Sequence, residues 1–202
     1  MKDEMDILRE VGSIAAGQGS IALSEILGKK IKLEMPVLNV LESGAVLKKL
    51  GENPVVVTIF SNILTGLEGR ILFLLDEKSA YKLADMCYRI NPENKKCSVF
   101  TEMGVSLIKE VGNVVISSFI GALSMILRIL IIPSIPTMVN GPIQEILGMI
   151  IASDNDYVLF TETVFEEPQE KITGSFYMVL SPDAAKFIQD SCKKLLESIS
   201  KD

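Results

Sequence analysis

Residues 6–36 read DILREVGSIAAGQGSIALSEILGKKIKLEMP, and residues 106–136 read SLIKEVGNVVISSFIGALSMILRILIIPSIP. Laid over each other at an offset of 100, they align without a gap and agree at 10 of 31 positions. The agreements are Glu10/Glu110, Val11/Val111, Gly12/Gly112, Ala22/Ala122, Leu23/Leu123, Ser24/Ser124, Ile26/Ile126, Leu27/Leu127, Ile31/Ile131 and Pro36/Pro136. Roughly two are expected from ordinary composition, so the two stretches read as copies. A looser match at an offset of 105 joins LEGRILFLLDEKSAYKLADMC (67–87) to ITGSFYMVLSPDAAKFIQDSC (172–192), through Gly69/Gly174, Ala80/Ala185, Asp85/Asp190 and Cys87/Cys192.

Working outward from these copies, each unit reads as a long helix, a strand, a short helix, two strands and a closing helix. The first unit predicts these at about 3–27, 31–40, 43–50, 54–61, 68–75 and 77–90, and the second at about 99–127, 129–139, 142–149, 156–165, 171–180 and 182–199. β-branched runs such as VVVTIF, flanked by turn residues (Gly51-Glu52-Asn53-Pro54, Thr65-Gly66), carry the strand assignments. Neither unit is large enough to bury a sufficient core alone. The expected fold is therefore α/β (α+β): a tandem duplication with pseudo-twofold symmetry and one shared, mostly antiparallel sheet, flanked by two long helices and smaller ones. Residues 1–202 then form a single domain of two repeats, about 1–90 and 98–202, joined by the polar connector 91–97.

Composition excludes several kinds of chemistry. Net charge is −6 and pI about 4.9, so no basic field gathers a phosphate backbone, and nucleic acid is not an expected partner. The chain has no histidine, which removes Ser-His and Cys-His nucleophile pairs, imidazole metal sites and imidazole acid–base catalysis. Cys87, Cys97 and Cys192 form no CxxC pair and read as reduced cytosolic thiols. The acidic start MKDEMD has no apolar run and is not a signal peptide, so the expected location is cytoplasmic. Between Glu110 and Arg128 lie 17 uncharged residues, close to the length of a membrane span. With Asn113, Ser117, Ser118 and Ser124 inside it, and Pro133 and Pro136 soon after, the stretch reads as a core helix, and no membrane is expected as a partner.

With the first long helix plotted at 100° per residue from Glu10, Asp6, Ser13, Gly17, Ser20 and Ser24 fall within about 80° on one side of it, and Ile7, Leu8, Val11, Ile14, Ala15 and Ala22 on the other side of it. The same stripe in the second unit is Ser106, Glu110, Asn113, Ser117 and Ser124. Near the middle of each ridge sit an acid and, three residues on, a small polar group, adjacent on the helix surface. A solvated helix face usually carries Lys and Arg, whereas this one offers a single acid and small uncharged groups, a surface suited to contact. Gly12 and Gly112 lie between the paired residues, and a glycine inside a helix costs about 1 kcal/mol relative to alanine. Its repetition implies a close approach, by the core or by a docked partner.

Joined to the proline downstream, the second unit reads Ser106-x3-Glu110-x2-Asn113-x22-Pro136 and the first Asp6-x3-Glu10-x2-Ser13-x22-Pro36. This pattern, twice in tandem, resembles the signature of the CheC/CheX/FliY phosphatases of bacterial and archaeal chemotaxis. The resemblance runs from Asp6 to the last helix. It implies hydrolysis of the aspartyl phosphate of the response regulator CheY. Glu110 would grip the regulator beside its phosphorylated aspartate, and Asn113 would orient the attacking water. Asp6, Ser106 and Gly112 would belong to the docking surface. The resemblance implies no intrinsic cofactor, since the regulator supplies Mg²⁺. Ser13 stands where the amide is expected, and its hydroxyl is shorter and lacks the planar amide. The Glu10/Ser13 site is therefore expected to be degenerate, leaving one active pair.

The same residues admit a second reading, a binding or scaffold module that engages CheY, the deamidase CheD or the flagellar switch without turnover. A nucleotide site is disfavoured: Gly12-x4-Gly17 is followed by Gln18 where a P-loop needs lysine, and it lies inside a helix. Asp3, Glu4 and Asp6 read as acids at a helix N-terminus, Lys193, Lys194 and Lys201 as cations near a helix C-terminus, and the nine scattered methionines as core filler.

Overall fold

The computed structural model describes residues 4–28, 32–33, 38–42, 45–46, 53–90, 101–151, 157–167 and 170–199. The connector 91–97, Cys97, Asp3, Pro36 and Lys201 lie outside the described residues, as does all of the expected helix 43–50 except 45–46, which are helical. The helices are α1 (Glu4–Leu27), α2 (Glu77–Ile90), α3 (Glu102–Leu127), α4 (Ile143–Ile150) and α5 (Pro182–Ile199). The strands are β1 (Lys32–Leu33), β2 (Leu38–Glu42), β3 (Val55–Thr65), β4 (Gly69–Asp76), β5 (Ile132–Pro133), β6 (Thr137–Pro142), β7 (Tyr157–Glu167) and β8 (Glu170–Leu180).

The eight described strands join one antiparallel sheet, in the order β1-β7-β8-β4-β3-β5, with β2 also on β7 and β6 also on β3. Exchanging β1–β4 for β5–β8 carries this order onto itself. The register does the same at the centre: Leu72 of β4 pairs with Tyr177 of β8, its own counterpart at the 105-residue offset. Their neighbours cross over in step, Ile71 with Met178 and Phe73 with Phe176. An antiparallel pair that maps onto itself in this way has its twofold axis perpendicular to the sheet.

Alternation along the strands gives each face its own core. On one face Ile59, Ile71, Phe73, Phe176 and Met178 pack against α1, α2, α3 and α5. Phe176 is the hub of this layer, its ring 5.2 Å from that of Phe73 and 5.4 Å from that of Phe119 on α3. On the other face Leu72, Leu74, Val158 and Tyr177 are covered by α4 and Val46. α3 is long and apolar enough to cross a membrane by composition, but half of its most apolar window is buried inside this fold.

Two expectations about the strands need correction. The single strand expected at 129–139 is two short pieces, β5 and β6, and of the one expected at 31–40 the described residues, 32–33 and 38–40, are strand. In the second unit the break falls at Pro133 and Pro136, which cannot donate to a ladder. β3 runs to Thr65, four residues past the expected end, because Ile63 and Thr65 find partners in Pro133 and Ile132.

Candidate functional site

The site is built on α3. Thr101 starts the helix, its hydroxyl accepting a hydrogen bond from the Gly104 N–H at 3.1 Å. Arg128 ends it in the left-handed conformation, where the Ser124 hydroxyl donates to the Ile129 carbonyl. Between these caps Ile108, Val111, Gly112, Val115, Phe119 and Leu123 are buried. Ser106, Glu110, Asn113, Ser117, Gly121 and Met125 form an exposed line along the opposite face. Glu110 and Asn113 are thus neighbours one turn apart, both open to a visiting molecule. One offers a carboxylate that accepts from a cation, the other a carboxamide that both donates and accepts.

Gly112 is a correction to the expected docking set. It is buried, and a Cβ there would lie 2.7 Å from Ile59 Cγ2 and 2.8 Å from Ile59 Cβ. The close approach implied by a glycine between Glu110 and Asn113 is made by strand β3 and not by a partner. Its consequence for the site is indirect: it seats this turn of α3 deep on the sheet, with Asn113, the next residue, pointing away. Ser106, by contrast, is exposed one turn before Glu110.

On α1 the exposed line is Glu10, Ile14, Gln18, Ile21 and Glu25, with Ser13 and Gly17 half-buried. The expected ridge is rotated from this. Ser20 is buried, and Ser24 turns its hydroxyl back to the Ser20 carbonyl at 3.0 Å. Ile14, assigned to the core side, is 50 % exposed. The physical reason is that a serine satisfies its hydroxyl within its own helix and can then be buried. Polarity alone therefore did not mark the outward face. The exposed Ile14, Ile21 and Met125 are not found by polarity; the 3–4 spacing 10, 14, 18, 21, 25, read without regard to polarity, and its counterpart on α3 are the signal that finds them. Asp6 lies in α1, but its side chain and the surroundings of Gly12 lie outside what the structure describes.

α2 packs beside α3 and brings Cys87 into the field of Glu110. Burial, and then the Glu110 charge, push this thiol up to about 11, so it stays protonated and unreactive near neutrality. Burial also raises Cys192 on α5. Among the described residues no group of three His, Cys, Asp or Glu side chains converges as a metal site. A cavity of about 240 Å³ lies away from the ridge, lined by Asn62, Glu68, Arg70, Ile150 and Ser181 among others. Its Arg70 guanidinium is engaged by Asn62 Oδ1 at 3.1 Å and by the Ile150 carbonyl at the end of α4. That arrangement anchors a helix C-terminus to the sheet and has no connection to the Glu110–Asn113 pair.

No family model matches the chain. The chain is 26 % identical to the CheY-P phosphatase CheC of Bacillus subtilis over 193 residues, 92 % of this chain and 91 % of that protein. Its fold matches Thermotoga maritima FliY with a TM-score of 0.76 at 24 % identity, over 96 % of this chain and 98 % of the other. The FliM middle domain of H. pylori matches with a TM-score of 0.68 at 12 % identity, over 95 % and 99 %. The CheX–CheY–BeF3–Mg complex of Borrelia burgdorferi matches with a TM-score of 0.51 at 19 % identity, over 85 % and 97 %. With the tandem E-x2-N/S motif on its two long helices, the chain is similar along nearly its whole length to a CheC phosphatase and shares the fold of FliY, the FliM middle domain and CheX.

Proposed function

We propose that this protein hydrolyses the aspartyl phosphate of a CheY-type response regulator, using Glu110 and Asn113 of the second repeat. The observation that carries the reading is the exposed carboxylate and carboxamide one turn apart on a helix whose other face is buried. Likeness to a CheY-P phosphatase, and to a CheX bound to CheY, supplies the substrate class.

In this reading Glu110 accepts from a cation of the docked receiver and fixes the angle of approach. The Asn113 amide holds one water in line with the phosphorus. The water oxygen bonds to phosphorus, the bond from phosphorus to the aspartyl oxygen breaks, and the aspartate leaves as a carboxylate with inorganic phosphate as the other product. An acyl phosphate is already reactive, and the receiver's own Mg²⁺ and cations neutralise the charge that develops. Placement of the water is what remains to be supplied, and no general base is needed. The chain itself holds no cofactor in this reading, works in the cytoplasm, and acts as one domain of two repeats. Ser13, shorter than an amide and half-buried, leaves the first site degenerate.

Asn113→Ala tests the reading: release of phosphate from a phosphorylated CheY-type receiver should fall to the receiver's own rate. An unchanged rate overturns it. Likeness to the FliM middle domain favours one other reading, a switch-type module that binds the receiver, with CheD as a further candidate partner, and does not turn it over. Complex formation without faster decay would select that one.

A further inference from the structure

We infer that a receiver docked at Glu110 and Asn113 also rests on α1 of the first repeat, with Ile21 as its apolar anchor. This deepens the phosphatase reading and rests on it for the identity of the partner. Three observations carry it.

The first is the direction of the two long helices. α1 ends at Leu27 and feeds β1 on the β7 side of the sheet, whereas α3 ends at Leu127 and feeds β5 on the β3 side. These are opposite edges of the sheet, so the packed helices run antiparallel.

The second is where they cross. A Cβ on Gly19 would lie 3.4 Å from both Val115 Cγ1 and the Val115 carbonyl oxygen, so these residues mark the contact. Ile21 is two residues past it on α1, and Asn113 two residues before it on α3. In an antiparallel pair both displacements are about 3 Å in the same direction. Ile21 and Asn113 therefore stand at one height, on helices about 10 Å apart.

The third is exposure. Ile21 is 52 % exposed on the outward line of α1. A partner seated on Asn113 with an ordinary footprint of roughly 800 Å² reaches across one interhelical spacing. The repeat itself adds an asymmetry: the residue matching Ile21 is Gly121, exposed and with open space where its Cβ would be. A receiver at Asn113 meets an isoleucine across the seam, and one at Ser13 would meet a glycine. The first repeat has thus kept a docking role for the second repeat's chemistry.

The test uses the full chain, Ile21→Ser and Asn113→Ala, with a CheY-type receiver activated by beryllium fluoride and Mg²⁺ for binding and phosphorylated for turnover. Ile21→Ser should weaken binding and raise KM by about tenfold, with kcat at saturation kept, since Ile21 is not at the reacting atoms. Unchanged binding and KM in Ile21→Ser, while Asn113→Ala abolishes turnover, overturns the inference and leaves the phosphatase reading standing. A fall in kcat alone also overturns it. If the wild type binds without turnover and Ile21→Ser weakens that binding, the docking surface stands and the phosphatase reading fails. If the wild type does not bind the receiver at all, both fall.

Discussion

α1 and α3 carry the two stretches that match at the 100-residue offset, and most of their differences fall on the outward face. Across the helix–sheet and helix–helix contacts the two agree at Val11/Val111, Ala22/Ala122, Leu23/Leu123 and Leu27/Leu127, all buried in both copies. On the outward line they agree at Glu10/Glu110 and then part: Ser13/Asn113, Gly17/Ser117, Ile21/Gly121 and Glu25/Met125. The inner face answers to packing at crystal-like density, where a change of one methylene is felt. The outer face answers only to what docks there. Three exceptions lie inside, at Ala15/Val115, Gly19/Phe119 and Ser20/Ile120. A single Phe176 lies near the pseudo-axis, with the Phe119 ring stacked on it and Gly19 leaving it room.

The largest expected effect breaks the comparison at its chemical difference. Asn113→Ala should remove nearly all accelerated turnover, on the order of a hundredfold, measured as phosphate release. Restoring the amide on the other helix sharpens it. In the Asn113→Ala background, Ser13→Asn should recover no more than about one-tenth of wild-type turnover, because the receiver's apolar support across the seam is missing there. Full recovery would mean that the two ridges differ only by the amide.

A smaller effect contrasts two glycines of α3. Gly112→Ala should lose about 1 kcal/mol of stability, since the crowding against the stiff Ile59 exceeds the gain in helix propensity. Gly121→Ala, with open space around it, should gain about 0.5–1 kcal/mol. Urea unfolding reads both signs, and a shared sign would contradict the packing described for α3.

The smallest effect concerns Cys87. Its folded thiol is held at about 11 against an ordinary 9.0. The unfolded thiol therefore ionises first, and stability that is fully present below pH 9.0 is lost as the pH climbs to about 11. Cys87→Ala should make that decline shallower, by on the order of 1 kcal/mol across the window. An identical slope would place Cys87 outside the buried field of Glu110.

Much of the architecture could be read before any coordinates. The long helices at their 100-residue offset, the hairpin that turns beside Thr65–Gly66, and the closing helices all appear within about four residues of their expected bounds. Periodicity and turn chemistry are local, and they are written into neighbouring residues. The Glu110–Asn113 pair was legible for the same reason, since an i,i+3 relation needs only the helix. The rotation of the α1 ridge was not. Ser20 and Ile14 exchange the places their polarity suggests, because the burial of each is set by α3 and the sheet lying against that turn.

The sequence by itself determined the duplication pattern, the helix that carries an acid and an amide side by side, and the chemistry that a histidine-free chain must do without. Tertiary structure alone decided that Gly112 belongs to the core and not to the docking surface, and that Ile21 stands level with Asn113. Both depend on which remote strand or helix comes to rest against a given turn. That is a matter of through-space packing between residues far apart in the chain, and no local spacing encodes it.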